Sequence, residues 1–202
     1  MNAPIPRDPY NAALGAVRRL TDAGRFVPGE PIVVTEVAAE VGFSPTPVRE
    51  ALARLAGEGL IDRRRGHGYF YPALSASDLI DLFELQLAYL HAALILCPRG
   101  LASLRKAAAE IRIDDGVQAL FDAIVQQSAN AALIEASRRV RDRMKPVLEA
   151  ERHLDPEDGS AIRAMTTIIA AGRIPDLLDQ VQQYHEQRCA RVERLTRMLA
   201  AA

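Results

Sequence analysis

Hydrophobic positions in the first third of the chain fall in short stripes at helical spacing, each closed by a glycine. Leu14, Val17 and Leu20 share one face of Tyr10 to Ala23, which predicts a first helix ended by Gly24. Phe26-Val27-Pro28-Gly29-Glu30-Pro31-Ile32 reads as a turn with a short extended piece. Thr35 followed by Glu36 to Val41 predicts a short helix, and Gly42-Phe43 supplies a tight turn into the next. In that next segment Val48, Leu52 and Leu55 recur four and then three residues apart, while Thr46, Arg49 and Ala53 lie on a different face near its front. Ser44 is placed to cap the first-turn amides, and Pro45 sits where a missing N–H costs nothing. One face packs and the other is left to touch something else, which is the pattern of a helix-turn-helix.

The pattern then changes period. Gly59-Leu60-Ile61-Asp62, Arg63-Arg64-Arg65 and Tyr69-Phe70-Tyr71 flank a Gly66-His67-Gly68 tip that takes positive φ without steric cost, so a hairpin is predicted. A basic strand leading to a small tip suits a wing lying on a phosphate backbone or a minor groove. After a short linker, Ala73 to Ser77, the pattern is helical throughout. Ser77 or Asp78 is expected to cap a long helix in which Leu79, Leu82, Phe83, Leu85, Leu87, Leu90, Leu94 and Ile95 cover more than one face, and Pro98 to stop it. That much apolar surface calls for two partners, the domain core and a second subunit. Further helices are predicted over Gly100 to Ile111, from a cap at Asp114 to about Ser128, over Asn130 to Met144, from Asp155-Pro156-Glu157-Asp158 to Gly172, and from Pro175 to near Leu199. The fold class is therefore mostly α: a leader at 1–9, a winged helix-turn-helix at 10–72, a linker at 73–77, and an all-α antiparallel helical bundle at 78–202.

Charge changes this picture only locally. Residues 1–76 hold nine arginines and eight acidic groups, and the remainder sixteen basic and eighteen acidic, so bulk charge does not announce a nucleic-acid binder. Positive charge must act at Arg49, Arg54 and the Arg63 to Arg65 run. The plain alternative for the triplet is a solvated strand edge. Even the richest helix carries Asp81, Glu84, Gln86 and His91, so no membrane span is expected. Met1 to Pro9 has three prolines and no apolar stretch, which reads as a leader without a secretory signal and places the chain in the cytoplasm. Cys97 and Cys189 lie far apart and read as small core residues rather than a disulfide or zinc pair. No phosphate loop, nucleophile elbow or paired metal motif points to an enzyme.

Phe26-Val27-Pro28-Gly29-Glu30, the run Val37 to Ser44, the block Thr46-Pro47-Val48-Arg49-Glu50-Ala51-Leu52 with Arg54-Leu55, and Glu58-Gly59-Leu60-Ile61 resemble the GntR family of bacterial transcription regulators, over about Tyr10 to Pro72. Leu74 to Leu79 and Asp81 to Leu85 are similar to the entry into the helical effector domain of its FadR-like branch, called FCD. The resemblance implies a homodimer that binds a double-stranded inverted-repeat operator, a repressor relieved by a small carboxylate metabolite. It implies base or phosphate contacts at Arg49, backbone contacts at Thr35, Ser44 and Thr46, and wing contacts at Arg63, Arg64, Arg65, Gly66 and His67. The family commonly has Arg where this chain has Pro45, so one contact is missing. The other class of function is a winged module that binds protein or ligand; Arg49 beside Thr46, backed by a basic wing, favours DNA.

The FCD resemblance also implies a divalent metal held by an Asp and a His one turn apart, plus two further histidines. Here the first pair falls on Gln118 and Asp122, the second histidine on Ala161 or Ile162, and only His185 stands where the third is expected. No metal or other cofactor is therefore predicted, and Gln118, Asp122 and His185 become candidates for a polar effector pocket. The bland reading of His185 is a half-buried helix residue. His91 reads as a core or interface residue and His153 as solvated. Arg138, Arg139, Arg141, Arg143 and Lys145 read as a solvent-facing run paired with Glu135, Asp142 and Glu149, with an acidic-effector site as the alternative.

Overall fold

A computed structural model describes residues 8–96, 100–154 and 158–201. The chain forms two compact units, Met1–Leu74 and Ser75–Ala202.

In the first unit, α1 (Pro9–Asp22) starts at Asp8, whose carboxylate accepts the Asn11 amide at 3.0 Å. α2 (Val34–Val41) ends on Gly42, which takes the left-handed φ of 74° that the turn into α3 (Pro45–Gly57) requires. Ser44 occupies the N-cap of α3 with an extended backbone, but its hydroxyl makes no cap hydrogen bond, contrary to expectation. Pro47, at the third helical position, lacks one of the two amides such a hydroxyl would serve. Val48, Leu52 and Leu55 are fully buried against Ala13 and Val17 of α1, so the stripe read from spacing is the packed face. Glu58 closes α3 by pairing with Arg18 of α1 and, at 2.8 Å, with Arg54. Three short strands follow the order β1 (Pro31–Ile32), β3 (Gly68–Phe70), β2 (Asp62–Arg64), all antiparallel, with Ile32 and Arg63 both opposite Tyr69.

The second unit begins with α4 (Ala76–Ile95), inside the stretch expected to be linker. Its cap is Ser75 rather than Ser77 or Asp78. Ser75 Oγ accepts the Asp78 amide at 3.1 Å and Asp78 Oδ2 accepts the Ser75 amide at 2.8 Å, a reciprocal pair that serves two orphan donors. Then come α5 (Gly100–Ala109), a 3-10 turn (Ile113–Asp115), α6 (Val117–Gln127), α7 (Ala131–Leu154), α8 (Asp158–Ala171), α9 (Ile174–Ala190) and α10 (Val192–Ala201). Asp114 does not cap α6. Gly116 does, at φ 74°, while Asp115 accepts the Arg112 amide at 2.8 Å and closes the 3-10 turn. α7 runs ten residues past Met144 and holds Pro146 in its interior; burial of Met144 and Val147 offsets the lost backbone hydrogen bond. The single helix expected after Pro175 breaks at Arg191 into α9 and α10. The stops and caps assigned to Pro98, Asp155, Pro156 and Glu157 lie outside the described residues, as do Cys97 and the side chains of Glu149 and His153. Leu90, Leu104, Leu120, Phe121, Ile124, Met165, Ile169, Leu177 and Val181 make the interior.

Candidate nucleic-acid interface

The exposed front of α3 carries Ser44, Thr46 and Arg49, and Thr35 is exposed at the start of α2. Beneath Arg49 the wing braces the helix: the buried Tyr69 donates its hydroxyl to the Arg49 carbonyl at 3.3 Å. β2 presents Arg63 and Arg64, and the turn Arg65-Gly66-His67 is closed by the His67 amide on the Arg64 carbonyl at 3.0 Å. Gly66 and Gly68 at φ 79° and 93° supply the conformations a side chain would resist. Arg49, Arg63, Arg64, Arg65, Gly66, Gly68 and Tyr69 together line a notch of about 460 Å³. Four arginines thus line one concave space whose lining contains no carboxylate. Such an arrangement attracts a polyanion by position even when the unit as a whole is almost neutral.

The wing arginines are not equivalent. Arg64 lies over the Phe70 ring at 4.0 Å, which holds its guanidinium on the sheet, whereas Arg63 stands opposite Tyr69 and lines the notch with Arg49 of α3. His67 is exposed, with Nδ1 at 3.0 Å from the Arg65 carbonyl. Arg54, expected to add to the local positive charge, is instead engaged by Glu58, whose side chain is only 8% exposed and needs a counter-charge. Spacing alone does not disclose the supporting roles of Tyr69 and Phe70. Their signal is the run of consecutive aromatic residues, Tyr69-Phe70-Tyr71, opposite a basic strand.

In the second unit, Gln118, Asp122 and His185 belong to one polar chain, buried at Gln86, His185 and Arg188 and partly exposed at Asp122 and Arg141, joined through residues that sequence reasoning passes over. Arg141 Nη1 donates to Asp122 Oδ2 at 2.6 Å, and Gln118 Nε2 to Asp122 Oδ1 at 3.0 Å. Gln86 Nε2 donates to Gln118 Oε1 at 2.8 Å, and Arg188 Nη1 to Gln86 Oε1 at 2.7 Å. Arg188 then forks onto Glu151 with two bonds of 2.8 Å. α4, α6, α7 and α9 are tied together by this chain. Gln86 is visible in the sequence as the polar residue in an apolar stripe, and Arg188 as the residue one turn beyond His185 on the same helix.

His185 is 2% exposed and faces two acceptors, the Val181 carbonyl at 2.8 Å and Gln86 Oε1 at 3.3 Å. The arginine and Gln118 bonds fix the direction of the Gln86 amide, so a neutral ring satisfies only one of them; the shorter contact assigns the proton to Nδ1. Burial first, and the Arg188 charge second, push the His185 pKa down to about 3. These residues do not suit a divalent metal. Both Asp122 oxygens are spent on Arg141 and Gln118, His185 Nε2 faces a carboxamide oxygen, and Ile162 is a buried aliphatic. The basic run on α7 pairs largely as read: Arg138 bonds Glu135 and Asp142, and Arg139 bonds Glu135, holding that carboxyl down at about 2. Arg141 pairs with Asp142 at 3.7 Å and also crosses to Asp122.

Residues 9–70 match the family profile described as bacterial regulatory proteins, gntR family. The N-terminal unit is a gntR-family helix-turn-helix domain. Over 61 residues, 30% of the chain, the sequence is 46% identical to the Nta operon transcriptional regulator of Aminobacter aminovorans, covering 29% of that protein. Over 78 residues, 39% of the chain, it is 36% identical to an HTH-type transcriptional regulator in the TAR-I ttuE-ttuC' intergenic region of Agrobacterium vitis, covering 46% of that protein. The matched stretch therefore spans less than half the length of these curated relatives. A solved structure described as a GntR transcriptional regulator, from Rhodococcus sp. RHA1, superposes with a TM-score of 0.72 over 91% of this chain and 97% of that one; at 18% identity the likeness is one of fold. Among the described residues no helix is long and apolar enough to cross a membrane.

Proposed function

We propose that the chain is a sequence-specific DNA-binding transcription regulator, a repressor that binds an inverted-repeat operator as a homodimer and is released by a small carboxylate metabolite bound in the helical bundle. The observation that carries the DNA-binding part is the notch bordered by Arg49 and the three wing arginines against the exposed front of α3. Arg49 leads from the helix front into the major groove, with Thr35, Ser44 and Thr46 on flanking phosphates and the wing on the neighbouring backbone. The inverted-repeat reading follows from symmetry: a single winged module buries too little surface for operator-grade affinity, and two copies related by a two-fold axis read two opposed half-sites.

Support for a dimer comes from α4. Its buried face holds Leu79, Leu82, Phe83, Leu90 and Leu94, while Leu85, Ile95 and Leu96 are 39%, 78% and 48% exposed. Leu85, Ala88, Ala92, Ile95 and Leu96 recur at three, seven, ten and eleven residues and so form a second stripe suited to a second copy of the same helix. The effector part rests on the polar chain around His185 and Arg188, a buried cluster of hydrogen-bonding groups at the centre of the bundle. The test is selection of duplexes from a random pool by the full chain. Enrichment of an inverted repeat supports the reading, and a pool that stays random at low salt rejects it.

A further inference from the structure

The polar chain of the second unit ends in an ion pair that the proposed function leaves unexplained. Arg188 has a side chain only 5% exposed, yet it directs a two-pronged pair of hydrogen bonds at a carboxylate supplied by the protein itself, Glu151. The guanidinium carbon also sits over the Phe83 ring at 3.8 Å and 5.7 Å from the Tyr184 ring, and Nη1 donates to Gln86 Oε1 at 2.7 Å, so the group is positioned by neighbours other than Glu151. Glu151 is less constrained. Its side chain is 18% exposed, each of its carboxylate oxygens accepts from Arg188, and it stands on the last turns of α7, beyond Pro146. That proline removes the backbone bond to the carbonyl of residue 142 and loosens the coupling of this end of α7 to the rest of the helix.

We infer that Glu151 is an internal stand-in for a ligand: a small aliphatic carboxylate binds Arg188 by the same two-pronged geometry and displaces Glu151 towards solvent. The exchange is chemically economical. Stripping a buried cation of its carboxylate is strongly destabilising, but trading one carboxylate for another leaves the cation paired, and the displaced Glu151 regains water at the exposed end of its side chain. The Phe83 face and the Arg188 fork favour a ligand with one planar anionic group and a short apolar tail, and the Glu151 side chain itself is such a group. Because Glu151 and Asp122 both sit on or against α7, replacing Glu151 also frees that helix end from the chain that runs through Gln86 to Arg141. This inference rests on reading the bundle as responsive to a carboxylate and names the side chain that holds that ligand and the internal group it competes with.

The experiment uses the full chain, with propionate as probe and chloride at equal ionic strength as control. Calorimetry and thermal melts are run on wild type, on Glu151→Gln, which keeps the shape but weakens the internal competitor, and on the double variant Glu151→Gln with Arg188→Met, which leaves no buried charge uncompensated and is expected to fold. Saturable propionate binding to wild type, at least tenfold tighter in Glu151→Gln and absent from the double variant, supports the inference. Equal affinity in wild type and Glu151→Gln, persistence of binding in the double variant, or no binding in either of the first two overturns it. Binding to the duplex selected above is then measured with and without propionate. If propionate binds as stated but duplex affinity stays unchanged, the carboxylate site stands and the ligand-responsive reading of the bundle fails; the two failures are therefore distinguishable.

Discussion

Arg49 and His185 show how differently one residue draws meaning from its surroundings. Arg49 is exposed, its backbone is pinned by Tyr69, and its side chain borders the basic notch. Arg49→Ala should weaken operator binding by ~1–3 kcal/mol, roughly 5- to 150-fold, with relaxed preference at one base pair of each half-site. Fluorescence anisotropy on a set of single-base operator variants reads both effects, and binding within twofold of wild type would remove Arg49 from base readout. His185 is buried and neutral, with its pKa pushed down to about 3. The unfolded chain takes up a proton near the ordinary value of about 6.5, so the unfolded state binds more protons below that pH. Stability from this group is present above about pH 6.5 and is lost as the pH falls towards 3, at up to about 1.4 kcal/mol per unit. The groups facing the ring are Gln86 and, by charge, His91 and Arg188, with Phe121 stacked on it at 5.4 Å. Urea denaturation between pH 7 and 4 should show His185→Asn with a shallower decline than wild type; parallel declines would mean that other groups carry the acid sensitivity.

At the scale of elements the wing is the clearest case of sequence and structure agreeing in outline and differing in assignment. Removing two wing arginines should flatten the plot of log affinity against log salt by about 0.9 for each phosphate that is no longer neutralised. The structure separates them: Arg63 and Arg65 are the pair to remove, since Arg64 is stacked on Phe70. Arg63→Ala with Arg65→Ala should change the slope by nearly two, and an unchanged slope would take the wing off the DNA. The hairpin, the helix pair and the packed stripe of α3 are legible in the sequence because period and turn chemistry are local. The start of α4 is not, because Ser75, Ser77 and Asp78 all resemble caps, and only the reciprocal Ser75–Asp78 bonds choose among them. The length of α7 escapes a reading by breakers because proline ends a helix reliably only where packing does not oppose it, and Val147 is fully buried just beyond Pro146. Gln86, Arg188 and Glu151 are not legible as a group, since Arg188 lies 102 residues from Gln86 and 37 from Glu151 along the chain and meets them only after folding.

The whole molecule poses the question of how a helical unit makes an almost neutral DNA-binding unit effective. One half-site contacted by one notch gains little beyond non-specific attraction, whereas two tethered copies turn the second contact into an intramolecular one and raise affinity by effective concentration alone. In the proposed dimer the second stripe of α4 is the surface on which that gain depends, because Ile95, at 78% exposed, and Leu85 are not part of the same unit's interior. A single Ile95→Glu substitution would put a charge into the proposed two-fold interface twice, once from each copy, while leaving the buried Leu90 and Leu94 face untouched. Light scattering at micromolar concentration should then show a dimer for wild type and a monomer for the variant, with unchanged helical circular dichroism. Affinity for a duplex carrying two half-sites should drop by at least tenfold, and affinity for a duplex carrying one should stay the same. A variant that remained dimeric would move the interface off this stripe. A variant that became monomeric yet held the two-site duplex as tightly as wild type would show that the second copy contributes nothing to recognition.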